Sequence, residues 1–173
     1  MSERSDLADG PFSGRRPTSH ERLTGLPWDA SYHDGPAPWD LGRPQPAVVR
    51  LAAEGGFAGA VLDVGCGTGE NALHVASLGL TVLGVDVAQT ALAIARAKAD
   101  DRGIEVEFAA ADALQLQRLG RSFQTVLDCG LFQPATTTSE LDTRRAWRRS
   151  PSTMGLCTCC ASVTTALIPA RTP

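Results

Sequence analysis

The chain has 173 residues, a formal net charge of −3 and 43% hydrophobic residues. This length suits a single domain, and the apolar content is enough for a core, which excludes a wholly disordered chain. A net charge of −3 does not indicate the basic surface that is typical of nucleic-acid-binding proteins. The sequence contains no run of about 18 apolar residues, so no membrane span is predicted. We therefore expect a small-molecule partner and contact with neither nucleic acid nor membrane.

The N-terminal region predicts no ordered fold and no targeting signal. Residues 1–24 mix Ser, Gly, Pro, Asp and Arg without periodicity, which predicts a disordered tail. They also lack the apolar segment of a secretory signal, so a cytoplasmic location and free cysteine thiols are expected. A monomer is expected as well. A segment rich in Trp and Pro, the lead-in segment, follows over Pro27 to Pro46. A short helix is expected around residues 47–54.

The middle of the chain alternates between short apolar runs and helical patterns. This alternation predicts a parallel sheet joined by right-handed crossovers, an α/β fold. The expected strands are residues 60–64, 81–86, 104–108 and 123–130, and the expected helices are residues 71–78, 88–101 and 114–119.

A glycine-rich loop follows the first expected strand, in the run VLDVGCGTGE from Val61 to Glu70. Gly65, Gly67 and Gly69 allow a sharp turn and bring bare backbone close to a ligand. Thr68 is expected to cap the helix that begins near Glu70, so that the amides at the helix start face the ligand. Ligands of parallel α/β sheets bind in this crevice, at the carboxyl ends of the strands.

A dinucleotide is the competing ligand for such a loop. Its fingerprint, G-x-G-x-x-G, would place the third glycine at position 70, where this chain has Glu70. An acid at a helix start disfavours a pyrophosphate but is tolerable for a ligand with positive groups, and Asp63 adds a second acid nearby. The spacing therefore disfavours a nicotinamide-dependent oxidoreductase.

The run DVGCGTG, with its apolar strand, resembles motif I of the class I S-adenosylmethionine-dependent methyltransferases. This resemblance covers roughly residues 27–132 and implies S-adenosylmethionine as the cofactor. It implies that Asp86 binds the ribose hydroxyls, that Val87 flanks the adenine, and that Asp112 and Ala113 contact the adenine. The other implied cofactor-binding residues of the sheet are Asp63, Gly65, Cys66, Gly67, Thr68, Gly69 and Asp128.

Several of these residues have a simpler structural interpretation. Asp86 could be an ordinary acid at a strand end, and Asp112 could cap the next helix. Cys66 and Cys129 are expected to be small apolar fillers rather than nucleophiles. No catalytic residue is assigned, although His33 is a candidate base, and no metal site is expected.

The lead-in PWDASYHDGPAPWDLGRPQP is similar to the N-terminal cap of small-molecule methyltransferases, including the thiopurine-methyltransferase-like group. In that group the cap folds over the cofactor, which implicates Trp28, Tyr32, Trp39, Arg43 and Gln45. The resemblance implies that Arg43 pairs with the methionine carboxylate. The alternative is that the tryptophans only attach the segment to the core.

The region after residue 132 departs from the family pattern, which continues with a further helix, a fifth strand and a hairpin. Residues 133–173 supply none of these recognisably, so the sheet is expected to be incomplete after its fourth strand. The expected domain is thus residues 25–132, a Rossmann-like methyltransferase sheet with helices on both faces, followed by an aberrant or disordered tail. We expect a methyltransferase lineage acting on a small molecule, or else a truncated, non-catalytic remnant that binds the cofactor.

A shifted reading frame would account for this departure. When each codon of residues 133–173 begins one base earlier, the tail can encode an apolar strand after an amphipathic stretch without a stop codon. We expect the gene to carry a single-base loss near codon 133. Sequencing the gene checks this, and bases around codon 133 that offer no such frame would contradict it.

Overall fold

A computed structural model describes Pro17, Glu21, Arg22 and residues 25–131, together with the backbone of residues 156–158 and 162–165. Most of the predicted N-terminal tail, and most of the predicted tail at 133–173, lies outside these residues. No helix among the described residues is long and apolar enough to cross a membrane.

Short strands and helices follow one another through the described domain. A 3-10 helix at Trp28–Tyr32 and helix α1 at Pro46–Ala53 lead into strand β1. The remaining elements are β1 (Val61–Val64), α2 (Glu70–Ser77), β2 (Val82–Asp86), α3 (Gln89–Arg102), β3 (Glu107–Ala110), a second 3-10 helix (Ala113–Leu119) and β4 (Thr125–Asp128). Apart from the first 3-10 helix, which the sequence does not predict, these elements are those expected, with shifts of a few residues at their ends.

The third strand begins later than its sequence pattern predicts. The pattern favours residues 104–108, whereas β3 covers Glu107–Ala110 and pairs with Leu83–Asp86 of β2. The end of α3 explains the shift, because the Ile104 amide donates a hydrogen bond to the Ala99 carbonyl oxygen 3.0 Å away. This bond makes Ile104 part of the helix terminus, so the pairing of β3 with β2 begins only at Glu107.

The sheet has the strand order β3-β2-β1-β4, and all of these pairings are parallel. The chain builds outward from β1 to β3 and then returns to the other side of β1 as β4. This reversal makes the carboxyl ends of β1 and β4 the switch point, where ligands bind in such sheets. The predicted parallel α/β sheet is therefore confirmed.

Two apolar layers cover the sheet. On one face, Val61, Val82 and Leu127 pack with residues of α1, α2 and α3. On the other face, Leu62 and Val85 pack with Leu116 of the second 3-10 helix. The alternation of side chains along a strand separates the two sets, since neighbouring residues point to opposite faces. Helical elements thus lie on both faces, as the sequence predicts.

Beyond β4 the sheet differs from its expected end. Strand β5 (Leu156–Thr158) pairs in parallel with β4, and β6 (Ser162–Thr165) pairs antiparallel with β5. The sequence analysis expects no strand after the fourth. Threonine and valine favour extended backbone, and an edge strand offers unpaired amides and carbonyls, so these segments can extend the sheet.

The glycine at the start of α2 allows a test of how tightly the loop packs. Gly69 has φ +81°, and a Cβ there would lie 2.8 Å from the Ala95 Cβ and 2.8 Å from the Phe108 ring. Gly79 has a similar φ of +84° but open space around it. We expect Gly79→Ala to cost about 1–2 kcal/mol for backbone strain alone, and Gly69→Ala to cost roughly 1–3 kcal/mol more.

Urea denaturation of both variants and the unchanged chain measures this difference in the free energy of unfolding. Equal losses for the two alanine variants would contradict the close packing of α3 and β3 against Gly69.

Candidate functional site

The loop from Gly65 to Gly69 turns the chain from β1 into α2 at the switch point. The Gly65 and Cys66 amides both donate to the Val85 carbonyl oxygen, at 2.8 and 3.0 Å, and the Gly69 amide donates to the Cys66 carbonyl oxygen. All three glycines have φ between +53° and +81°, a region that side chains disfavour. The loop is therefore held against β2 by its own backbone.

Asp86, at the end of β2, binds the backbone of the loop. Its carboxylate accepts hydrogen bonds from the Gly67 amide at 2.8 Å and from the Ala88 amide at 2.9 Å. Burial raises the pKa of this carboxyl, while these amide hydrogen bonds act to lower it. Asp86 thus lies where the family resemblance expects an acid, with its carboxylate against the middle glycine of the loop.

Glu70 opens α2 and is almost wholly buried, with 7% exposure. Both of its oxygens accept from Arg102 at 2.9 Å, and the Lys98 ammonium lies 2.9 Å from one of them. The bonds from Arg102 and Lys98 lower the pKa of this carboxyl. Two cations of α3 therefore neutralise the charge of Glu70, the acid that stands where a dinucleotide fingerprint has its third glycine.

Thr68 does not cap α2, so that part of the sequence prediction is wrong. The residue before the helix is Gly69, and no side chain caps the helix start. The Thr68 hydroxyl instead donates to an Asp40 carboxylate oxygen at 2.7 Å and accepts from the Lys98 ammonium at 2.8 Å. Since Asp40 belongs to the N-terminal cap, this hydroxyl joins the cap to the loop, a tertiary contact that local sequence does not reveal.

Aromatic residues of the cap lie over the middle of the loop. The Trp28 and Trp39 rings meet edge to face at 5.5 Å, and the Trp39 indole N–H donates to the Tyr32 hydroxyl at 3.1 Å. A Cβ at Gly67 would lie 3.2 Å from that hydroxyl, a tight contact, and the φ of +53° at this position also favours glycine. Burial raises the pKa of Tyr32 to about 12, which leaves its hydroxyl protonated at neutral pH.

Two further contacts attach the cap to the domain. The Asp29 carboxylate accepts from the Thr90 amide at 2.7 Å, at the start of α3, and also contacts His33 at 2.9 Å. The Gln45 backbone N–H donates to the Asn71 side-chain oxygen at 2.9 Å. These two bonds attach the cap to the domain, and Arg43 is exposed beside it.

The other residues expected from the sequence lie around this centre. Asp63 is a buried residue of β1, and Asp112 caps the second 3-10 helix by accepting from the Leu114 amide at 2.8 Å. This cap is the alternative that the sequence analysis leaves open for Asp112. Asp128 ends β4 and accepts from the Leu131 amide at 3.1 Å, while Val87 and Ala113 are half-buried.

The cysteine of the loop is unsuited to nucleophilic chemistry. Burial, together with Asp63 and Asp86, raises the pKa of the Cys66 thiol well above its ordinary value, whereas Cys129 is a half-buried residue just after β4. A raised pKa leaves little thiolate. Within the described part of the chain, no group of three or more His, Cys, Asp or Glu residues could hold a metal ion.

A crevice of about 80 Å³ lies between the cap and the loop. It is smaller than the roughly 300 Å³ or more of ordinary ligand pockets. Its lining residues are Tyr32, Trp39, Asp40, Leu41, Gln45, Gly65, Cys66, Gly67, Thr68, Glu70, Asn71 and Cys129. The sequence analysis misses Asp40, Asn71 and Lys98 as residues of this region, because their contacts join segments far apart in the chain.

Comparisons with known proteins agree with this geometry. The model of a methyltransferase domain family matches residues 61–149, which extends beyond the expected domain end at 132. The 2-heptyl-1-hydroxyquinolin-4(1H)-one methyltransferase of Mycobacteroides abscessus is 34% identical over 128 residues, which are 73% of this chain and 51% of that protein. Probable thiol methyltransferase 2 of Arabidopsis thaliana is 39% identical over 66 residues, covering 38% of this chain and 29% of the relative.

Solved structures are similar as well, and one of them shares half of the aligned residues. It comes from work on the conversion of a disulfide bond into a thioacetal group during echinomycin biosynthesis, with 51% identity and a TM-score of 0.57. The match covers 60% of this chain and 44% of the other. This chain therefore spans about half or less of the length of these relatives.

The buried carboxylate of Glu70 gives the domain a pH-dependent component of stability. Because its pKa is lowered in the folded state, the ionised form favours folding above the ordinary value of 4.5, and this stabilisation is lost as the pH falls through the folded-state pKa. We expect Glu70→Gln to lower the free energy of unfolding at neutral pH and to flatten its decline on acidification.

Urea denaturation at a series of pH values measures this effect. Glu107→Gln is the matched control, because the ion pair of Glu107 with Arg121 is exposed and contributes little. An unchanged pH slope in the Glu70 variant would contradict the role given to its ion pairs.

Proposed function

The chain belongs to the methyltransferase-domain family, and we propose that it binds S-adenosylmethionine at the loop after β1 and transfers the methyl group to a small-molecule acceptor. The observation that carries the proposal is the hydrogen bond from the Gly67 amide to Asp86, at the switch point of the sheet. This bond holds the glycine loop beside an acid at a strand end. In such an arrangement the carboxylate can accept hydrogen bonds from the two ribose hydroxyls of a nucleoside that lies against the loop.

In this proposal each part of the crevice holds one part of the cofactor. Asp86 accepts hydrogen bonds from the ribose hydroxyls, while Val87, Asp112 and Ala113 border the adenine. The loop from Gly65 to Gly69 carries the methionine portion, with Asp63 and Asp128 beneath the reacting end. Trp28, Trp39 and Arg43 cover the cofactor from the cap, and Arg43 pairs with the methionine carboxylate.

Methyl transfer makes modest chemical demands on such a site. The sulfonium of S-adenosylmethionine is already activated, so alignment of the acceptor atom with the methyl group supplies most of the rate. A thiol with a pKa near 8.5 is partly ionised at neutral pH and needs little help from a base. No catalytic residue is assigned, and His33 is held by Asp29 on the exposed outside of the cap.

The similar proteins make sulfur the first acceptor atom to test. One relative is named a thiol methyltransferase, and the similar solved structure concerns conversion of a disulfide bond. The Mycobacteroides relative is named for a hydroxyquinolinone, which keeps an oxygen acceptor in the test. A non-catalytic, cofactor-binding remnant is the competing interpretation.

Calorimetric titration with S-adenosylhomocysteine tests cofactor binding. We expect saturable binding by the unchanged chain, no binding of NAD, and an affinity loss of about tenfold or more in Asp86→Asn, since bonds to charged groups contribute roughly 1.5–3 kcal/mol. Asp101→Asn, on the exposed end of α3, is the control variant. Heat from NAD but none from S-adenosylhomocysteine would refute the proposal.

Transfer of a labelled methyl group tests the reaction. We expect incorporation into small thiols or hydroxyquinolinones when S-adenosylmethionine is the donor. Cofactor binding without transfer to either acceptor class would favour the non-catalytic remnant. The experiment therefore separates binding from activity in the same chain.

A further inference from the structure

An acid of the cap lines the crevice and forms no ion pair with a side chain of the described domain, residues 25–131. Asp40 follows Trp39, is half-buried and lines the crevice. One of its carboxylate oxygens accepts from the Thr68 hydroxyl at 2.7 Å, and the other accepts from the Gly42 amide at 2.8 Å. These two bonds fix the orientation of the carboxylate at the rim of the glycine loop.

The neighbouring charges are distributed unevenly among the acids. Both Lys98 and Arg102 contact Glu70, so that carboxylate is neutralised. Lys98 reaches Asp40 only through the hydroxyl of Thr68. Across residues 25–131, no lysine, arginine or histidine forms an ion pair with Asp40, so its negative charge is available to a ligand in the crevice.

The chemistry of the cofactor supplies a matching positive group. S-adenosylmethionine carries an ammonium and a carboxylate on its methionine portion, beside the sulfonium. We propose that Asp40 binds this ammonium and that Thr68 acts as a positioning residue for Asp40. The inference rests on the proposed function.

The placement of Asp40 and Arg43 in one short segment extends this inference. Arg43 is the expected partner of the methionine carboxylate, three residues after Asp40. One turn of the cap then presents an anion and a cation to the two charged groups of an amino acid. This pair selects ligands that carry an amino-acid end over nucleosides that lack one.

Two related ligands isolate the contribution of the ammonium. S-adenosylhomocysteine carries the amino-acid end, whereas 5′-methylthioadenosine has the same nucleoside and thioether sulfur without it. In calorimetric titration of the full chain, we expect Asp40→Asn to weaken S-adenosylhomocysteine by about tenfold or more and to leave methylthioadenosine unchanged. Asp34→Asn, at an exposed position of the same cap, is expected to change neither affinity.

Variants of Thr68 test the positioning role and guard against a folding defect. Thr68→Val removes the hydroxyl and is expected to weaken S-adenosylhomocysteine selectively, whereas Thr68→Ser keeps the hydroxyl and restores its affinity. Thermal melting of each variant verifies that the domain is folded.

The outcomes separate this inference from the proposed function. An Asp40→Asn variant that binds S-adenosylhomocysteine as tightly as the unchanged chain overturns the ammonium contact. Equal weakening of both ligands overturns it as well, since the effect would then be on the shape of the site. If the unchanged chain binds methylthioadenosine but not S-adenosylhomocysteine, the ammonium contact fails while nucleoside binding stands, and binding of neither ligand refutes the proposed function itself.

Discussion

The hydrogen bond between the Gly67 amide and the Asp86 carboxylate is the contact on which the rest of the site depends. It joins the ends of two adjacent parallel strands, so the loop after β1 and the turn after β2 form one surface. Asp86 also accepts from the Ala88 amide just before α3. One carboxylate therefore sets the position of the glycine loop relative to the start of the next helix.

A second set of polar contacts holds α2, α3 and the cap around that surface. Lys98 contacts both Glu70 and Thr68, and Thr68 in turn contacts Asp40. Thr68 and Glu70 are buried, where an unpaired polar group is costly, so these residues hold one another in place. The loop side of the crevice is therefore lined by side chains that ion pairs and hydrogen bonds hold in place.

The contrast between Glu70 and Asp40 shows why charge alone is a poor guide to ligand recognition. Both acids lie at the same crevice, and only Glu70 stands out in the sequence because it occupies the place of a fingerprint glycine. The structure places two cations of α3 on Glu70 and none on Asp40. An acid recognises a cationic ligand only if the protein has not already neutralised it.

Local sequence determined the elements and the loop, because hydrophobic periodicity and glycine spacing are properties of adjacent residues. It predicted the parallel sheet, the Gly65–Gly69 turn and the position of Asp86 at a strand end. The start of β3 differs from the prediction, because β3 begins only where the chain pairs with β2. Only the tertiary structure decided what depends on distant segments meeting: Asp40 on Thr68, Tyr32 over Gly67, and α3 cations on Glu70. The two strands beyond β4 were also decided by the tertiary structure. An extended segment becomes a strand of the sheet only when it pairs with an existing edge strand.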